Sequence, residues 1–218
     1  MLPQLDAEEV RVLGALIEKE ATTPEYYPMS LNALVNACNQ KTNRFPVVNY
    51  DEEIVLQAID RLKEKKMAAV IIGSGRVNKY AQRFSELLNL GRRETALLCT
   101  LLLRGPQTLG ELSGRSERMY AFEDLEAVEH TLDRLAEDPV GKLVTRLAKV
   151  PGQKEARYMH LLSGEPVEDD FAAYAQSSSP SPVPGGDRIS ALEHEVASLR
   201  NEVADLRRQF EEFQRQFA

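Results

Sequence analysis

Apolar positions in residues 1–88 follow a helical spacing in three stretches and then change to two short runs. The first helix is predicted to begin after Asp6, the second after Ser30, and the third is predicted over residues 51–66. Two apolar runs separated by glycines then predict a β-hairpin over residues 68–82. This part of the chain is therefore expected to contain three helices followed by a two-stranded hairpin.

Residues 89–165 repeat this pattern of helices and strands. A strongly apolar helix is predicted over Thr95–Leu103, and Thr108 is expected to cap a short helix after it. Two further runs within residues 143–162 predict a second hairpin. The inward face of the third helix is predicted to comprise Leu125, Val128, Leu132 and Leu135.

The two parts also share short blocks of identical residues in the same order. Asp60–Leu62 matches Asp133–Leu135 at an offset of 73, and Tyr80 matches Tyr158 at an offset of 78. Offsets that change only between blocks indicate loops of different length in a duplicated unit. Three helices and a two-stranded wing define the winged-helix plan. The sequence therefore predicts a mainly α fold with small β-hairpins (α+β), built from two tandem winged-helix units over 1–88 and 89–165.

The last part of the chain has a different character. Residues 166–187 are rich in Ser, Pro and Gly and predict a flexible linker. Residues 188–218 carry apolar side chains at alternating spacings of three and four, which predicts a coiled-coil helix and a parallel homodimer. The alternative is a single amphipathic helix folded back on its own domain. The predicted dimer seam comprises Ile189, Leu192, Val196, Leu199, Val203, Leu206, Phe210 and Phe213.

The net charge of −7 is concentrated in this tail. Residues 1–90 and 91–165 each hold 11 basic and 12 acidic side chains, whereas 166–218 hold 5 and 10. The nearly neutral units neither exclude nucleic acid as a partner nor favour it. No apolar run reaches the roughly 18 residues of a membrane span. With Cys38 and Cys99 far apart and expected to be reduced and half-buried, these features predict a cytoplasmic protein.

The sequence offers no recognisable catalytic or metal-binding pattern. None of the three histidines, His130, His160 and His194, has a partner at a metal-ligand spacing. The glycines at 73 and 75 fit a hairpin turn better than a phosphate-binding loop. We therefore expect no catalytic residues, no metal, no cofactor and no enzymatic activity.

Partner contacts are expected in the first unit rather than on the third helix of the second unit. That helix is predicted to present mostly acidic side chains, which would repel DNA phosphates. The segment 39–50 is five residues longer than its counterpart and rich in amide and cationic donors. Its alternative role is a long turn whose Asn side chains cap helix ends. The candidate contacts with nucleic acid or a partner are Gln40, Lys41, Asn43, Arg44, Arg76 and Lys79.

Several motifs resemble the YceH-like family of bacterial proteins over about residues 5–165. They lie at residues 13–20, 26–32, 38–52 and 92–94. The resemblance implies a tandem winged-helix fold, but no established activity, cofactor or active site. Two functions are therefore weighed. A dimeric DNA-binding regulator is ranked slightly first. The alternative is a protein-interaction scaffold, resembling the winged-helix adaptors of chromosome-maintenance complexes.

Overall fold

The computed structural model describes residues 3–72, 78–148 and 155–165. These residues belong to one compact unit, Met1–Glu168. The predicted linker (166–187) and coiled coil (188–218) lie outside the described residues. The parallel homodimer therefore stays a prediction.

The first half contains three helices and a three-stranded antiparallel sheet. Its strands β1 (Met29–Ser30), β2 (Ala68–Ile71) and β3 (Lys79–Gln82) are ordered β1-β3-β2. Tyr80 of β3 lies opposite both Met29 and Val70. A 3-10 turn and strand β1, neither foreseen from the sequence, connect the first two helices. The elements are α1 (Ala7–Thr22), the 3-10 turn (Pro24–Tyr26), β1 (Met29–Ser30), α2 (Leu31–Cys38), α3 (Glu52–Glu64), β2 (Ala68–Ile71) and β3 (Lys79–Gln82).

A short helix, α4 (Phe84–Leu87), leads into the second half, where the same order recurs. Here Gln107 forms an isolated bridge with Tyr158, in the place that β1 takes beside β3. The predicted hairpin is present as two antiparallel strands. The elements are α5 (Arg92–Arg104), α6 (Leu109–Ser116), α7 (Leu125–Ala136), β4 (Val144–Arg146) and β5 (Tyr158–His160).

Local capping explains why the helices begin where they do. The side chains of Asp6, Ser30 and Asp51 each accept a hydrogen bond from a backbone N–H in the first turn of their helix. Thr108 does the same for α6 and forms a full capping box with Glu111. These helix starts confirm the starts predicted from the sequence.

The repeated blocks occupy matching places in the two halves. Asp60–Leu62 lies in α3 and Asp133–Leu135 lies in α7, the third helix of each half. Tyr80 and Tyr158 lie in the last strand of each hairpin, and both are buried. The duplicated sequence pattern thus corresponds to a duplicated order of elements.

The two halves share one continuous hydrophobic core, in which α1 packs closely against α5. Gly14 lies at the closest approach, because a Cβ atom there would come within 2.8 Å of Leu103 Cδ2 and 3.2 Å of Leu102 Cβ. The Cys99 thiol donates to the Gly14 carbonyl oxygen at 3.4 Å. Absence of a side chain at Gly14 therefore brings the two helices together.

One position on the predicted inward face of α7 is wrong. Val128, Leu132 and Leu135 are buried, but Leu125 is 51% exposed. Leu125 is the first residue of the helix, directly after its cap Asp124, and lies beyond the end of the core. Among the described residues, no helix is long and apolar enough to cross a membrane.

Candidate functional site

The segment 39–50, here called the 39–50 loop, is closed by a single side chain at its base. Asn39 Oδ1 accepts from the backbone N–H of Tyr50 at 2.8 Å, and Asn39 Nδ2 donates to the Tyr50 carbonyl oxygen at 2.7 Å. The amide of Asn39 thereby pairs with Tyr50 as a neighbouring backbone strand would. The two ends of the loop are thereby fixed to each other.

Arg44 lies inside the protein and not on the loop surface. Its side chain is 0% exposed and binds both carboxylate oxygens of Glu18, at 3.1 and 2.6 Å. It also donates to the Ala37 carbonyl oxygen at 3.1 and 3.2 Å, and to Gln40 Oε1 at 2.9 Å. Arg44 therefore holds the loop together, and Gln40 contributes through its bond to Arg44. Neither the guanidinium of Arg44 nor this oxygen of Gln40 is directed at an external partner.

A second buried arginine, Arg11 of α1, completes this arrangement. It donates to the Cys38 carbonyl oxygen at 3.0 Å and to the Pro46 carbonyl oxygen at 2.5 Å. Arg11 and Arg44 thus satisfy the carbonyls of Ala37 and Cys38 at the C-terminal end of α2, which lack partners within the helix. Burial lowers the pKa of Arg11, and the nearby charge of Arg44 lowers it further. Sequence reasoning missed Arg11, although a cation between Val10 and Val12 on an apolar helix was an available signal.

The ion pair between buried Arg44 and half-buried Glu18 depends on opposing effects on the pKa of Glu18. Burial by itself raises the pKa of this carboxyl, but the hydrogen bonds and charge of Arg44 together hold its pKa below the ordinary value. Glu18 is therefore ionised at neutral pH and keeps its partner in place. The ion pair of Arg44 and Glu18 therefore has a structural role in supporting the loop.

The loop tip reaches the second half of the molecule. Lys41 and Asn43 are exposed there, and Asn43 has a left-handed backbone with a φ of 61°. Asn43 Oδ1 accepts from the guanidinium of Arg104, and the N–H of Phe45 donates to the Leu103 carbonyl oxygen at 2.8 Å. The loop is thereby attached to the C-terminal end of α5.

This attachment places Asn43 against Arg104, and Arg104 lies near Arg115. Lys41 is exposed two residues before Asn43 on the loop tip. These four residues are here called the seam cluster. Burial lowers the pKa of Arg104, with the charge of Arg115 the next cause. Arg115 lies 3.5 Å from a carboxylate oxygen of Glu111. Within the described part of the chain, Lys41 and Arg104 have no carboxylate at ion-pair distance. The seam cluster is therefore locally cationic.

The remaining predicted contacts do not join this cluster. Lys79 is exposed on β3, opposite Ser30 and Ile71, and no hydrogen bond or ion pair links it to the described residues of the 39–50 loop. Arg76 lies outside the described residues. Arg104 and Arg115 were missed from the sequence because their proximity to the loop depends on the packing of the two halves.

The third helices present acidic surfaces. On α3, Glu52 and Glu53 are exposed in the first turn, whereas Asp60 is paired with Lys63 at 2.8 Å and Arg61 is turned toward Glu8 at 2.6 Å. On α7, the cation Arg134 binds Glu94 at 2.9 Å. The exposed acidic residues within and beside α7 are Glu123, Asp124, Glu126, Asp133 and Glu137. Negative potential of this kind repels phosphate groups.

The buried cysteines and histidine have unreactive surroundings. Burial raises the pKa of Cys38 to about 12, and it also raises that of Cys99. His160 is buried, its Nδ1 has no hydrogen-bond partner among the described residues, and burial lowers its pKa to about 4. The described ranges contain no group of three or more His, Cys, Asp or Glu side chains arranged to hold a metal ion. None of these groups forms part of the candidate site.

A family model described as "Protein of unknown function, DUF480" matches residues 5–153, which include the 39–50 loop and all of the seam cluster. The chain belongs to the DUF480 family. A UPF0502 protein of Solibacter usitatus is similar to this DUF480 chain, with 57% identity over 198 residues, covering 89% of this chain and 92% of the relative.

Two further relatives extend the similarity. A UPF0502 protein of Opitutus terrae is 51% identical over 199 residues, covering 90% of this chain and 84% of its own. The UPF0502 protein YceH of Escherichia fergusonii is 50% identical over 199 residues, covering 89% and 92%. The resemblance to the YceH-like family is therefore confirmed.

Proposed function

We propose that this chain is a non-enzymatic, dimeric DNA-binding protein of the regulator type, with a tandem winged-helix core. The observation that supports DNA as the partner is the seam cluster. There, Lys41 and Arg104 have no carboxylate at ion-pair distance among the described residues, and Arg115 adds a further cation. Phosphate oxygens would supply the missing negative charge. The winged-helix assignment is supported by the order of three helices and a hairpin, which occurs twice.

In this proposal the DNA contact lies away from the third helices. The acidic outer sides of α3 and α7 would face away from the phosphates, and the 39–50 loop would approach the duplex with its exposed tip. The ion pair of buried Arg44 with half-buried Glu18 would hold that tip in shape. We expect phosphate contacts of this kind to give affinity with little sequence preference.

The proposal also includes assembly and location. A parallel coiled coil over 188–218 would present two copies of the seam cluster to one duplex. Sedimentation of the full chain carrying Leu199→Asp and Leu206→Asp is expected to show a monomer, and an unchanged dimer would contradict this pairing. Free, buried Cys38 and Cys99 support a reducing compartment such as the cytoplasm.

The DNA test is a titration of labelled duplex at about 50 and about 200 mM salt. The full chain is compared with Lys41→Ala/Arg115→Ala and with Lys63→Ala/Lys142→Ala. The latter pair removes the same charge from exposed side chains outside the cluster. We expect the salt dependence to fall by about one unit of slope for each lost phosphate contact in the first variant only. Absence of binding by the full chain at low salt would reject the proposal.

A protein-interaction scaffold is the second candidate, and the acidic outer side of α7 favours it. A partner with a basic surface would complement these exposed carboxylates. The comparison is between Glu126→Lys/Asp133→Lys and Glu25→Lys/Glu117→Lys, since all four residues are exposed and each pair changes the charge equally. A scaffold predicts that the first pair alone releases the proteins captured by the full chain. Equal capture by both variants would reject α7 as the docking surface.

A further inference from the structure

A groove of about 460 Å³ lies where the C-terminal part of α1, the α4 segment and the start of α5 meet. Its walls therefore come from both halves and from the connection between them. Cavities that hold small organic ligands typically measure about 300–1,000 Å³. None of the seam-cluster residues is among the described residues that line it. The groove is thus separate from the candidate DNA interface.

The floor of the groove is apolar. Ile17 of α1 and Ala96 of α5 are buried, and Leu90 and Met119 pack against the core beside them. An aliphatic or aromatic group placed on this floor would leave water for an apolar surface. The floor therefore favours a ligand with a compact apolar body.

The rim carries one anion and one cation with unused bonding capacity. Glu20 Oε2 accepts from Gln82 Nε2 at 2.5 Å, whereas no partner of Glu20 Oε1 occurs among the described residues. Arg92 is exposed and has no hydrogen bond or ion pair in the described part of the chain. Glu86, another rim residue, is already paired with Arg83 at 2.7 Å. Glu20 and Arg92 are the charges available to a ligand.

We propose that this groove binds a small zwitterion of the amino-acid type. Glu20 would accept hydrogen bonds from the ammonium group, Arg92 would donate to the carboxylate, and the apolar side chain would lie on the floor. The N-terminus of α5 itself is not the carboxylate site. The carboxylate of Glu94 already lies over Gly91, within 2.7 Å of where a Cβ would be. This inference does not depend on DNA binding.

Calorimetry of the full chain tests the ligand class directly. L-phenylalanine, L-leucine and L-methionine are the probes, and phenethylamine and 3-phenylpropionate each lack one of the two charged groups. We expect at least one amino acid to bind with a Kd below about 1 mM, and each analogue of phenylalanine to bind about tenfold more weakly or worse. Failure of all three amino acids at about 10 mM, or equal binding of the analogues, would overturn the proposal.

Variants then locate the bound molecule. Ala21 is an exposed residue on the rim, so Ala21→Phe should fill the groove without disturbing the core. We expect Ala21→Phe to abolish binding, and Glu20→Gln and Arg92→Ala each to weaken it about tenfold or more. Glu25→Gln, an exposed acid outside the groove, should bind as the unaltered chain does. Unchanged affinity in Ala21→Phe would place the ligand elsewhere and overturn the assignment.

Discussion

The two halves connect their second and third helices in physically different ways. In the first half, the 39–50 loop rests on the buried cations Arg11 and Arg44, which bind backbone carbonyls and one carboxylate. In the second half, the shorter connection uses an exposed arginine. Arg93 donates to Tyr120 Oη at 2.7 Å and lies 5.4 Å from the centre of its ring. The same order of helices thus tolerates a buried ionic support or an exposed aromatic one.

The difference indicates where the molecule depends on charge. A buried cation that loses its partner leaves an uncompensated charge in a low dielectric, whereas an exposed arginine loses little because water replaces its contact. The 39–50 loop should therefore be fragile toward single substitutions and rigid when intact. The second connection should tolerate substitution.

The largest expected effect follows removal of Arg44. Arg44→Ala should lower the free energy of unfolding by about 3 kcal/mol, because half-buried Glu18 keeps only Lys19 at 3.4 Å as a counter-ion and the Ala37 carbonyl loses its donor. Urea denaturation measures this change. The paired variant Glu18→Leu/Arg44→Met, which removes both charges, should recover much of the loss. An Arg44→Ala protein as stable as the unaltered chain would show that the ion pair does not support the loop.

Acid should destabilise the second half through His160. Its pKa is about 4 in the folded protein and ordinarily 6.5, so the unfolded chain binds the proton first as the pH falls. Stability is therefore full above pH 6.5 and declines between 6.5 and about 4, by about 3 kcal/mol in all. Glu18, with its lowered pKa, contributes only at lower pH, below its ordinary value of 4.5. Urea midpoints for His160→Gln should lose the decline between pH 6.5 and 5, and an unchanged decline would count against His160.

A smaller effect is expected at the base of the loop. Asn39→Ala removes two hydrogen bonds to the backbone of Tyr50 and should cost about 1–2 kcal/mol of stability. Asn36→Ala is the matched control, since Asn36 is exposed and its side chain bonds that of Asn32 on the same helix. Thermal denaturation should give a lower melting temperature for Asn39→Ala than for Asn36→Ala. Equal melting temperatures would mean that Asn39 does not close the loop.

The smallest effect should come from Arg93. Because this side chain is exposed, Arg93→Ala should leave the urea midpoint within experimental error. The stability change in Arg93→Ala is to be compared with that in Arg44→Ala, since both arginines support the connection between the second and third helices of their half. A loss for Arg93→Ala as large as that for Arg44→Ala would remove the contrast between the two halves.

Local signals in the sequence predicted much of the fold. Asp6, Ser30 and Thr108 each cap a helix through the backbone a few residues ahead, so their role is visible within a short window. The prediction that Leu125 faces inward was wrong, because spacing along a helix does not show where the neighbouring core ends.

The candidate site was less predictable because it is built by contacts distant in sequence. Arg44 is buried by Glu18, which lies 26 residues earlier, and Asn43 meets Arg104, which lies 61 residues later. A cation-rich loop read in isolation therefore gave Lys41 and Arg44 the same role. Tertiary packing gives them different roles, since Lys41 is exposed and Arg44 is buried.

The bare backbone at Gly14 also has a consequence for synthesis of the chain. α1 emerges from the ribosome long before α5, whose Cys99 and Leu103 cover the surface around Gly14. Until α5 follows, the nascent first half presents an open apolar strip around Gly14. Such transient strips are where chaperones bind and where premature association begins. Because Gly14 allows α5 to pack directly on α1, the core of the first half is closed only after α5 has been synthesised.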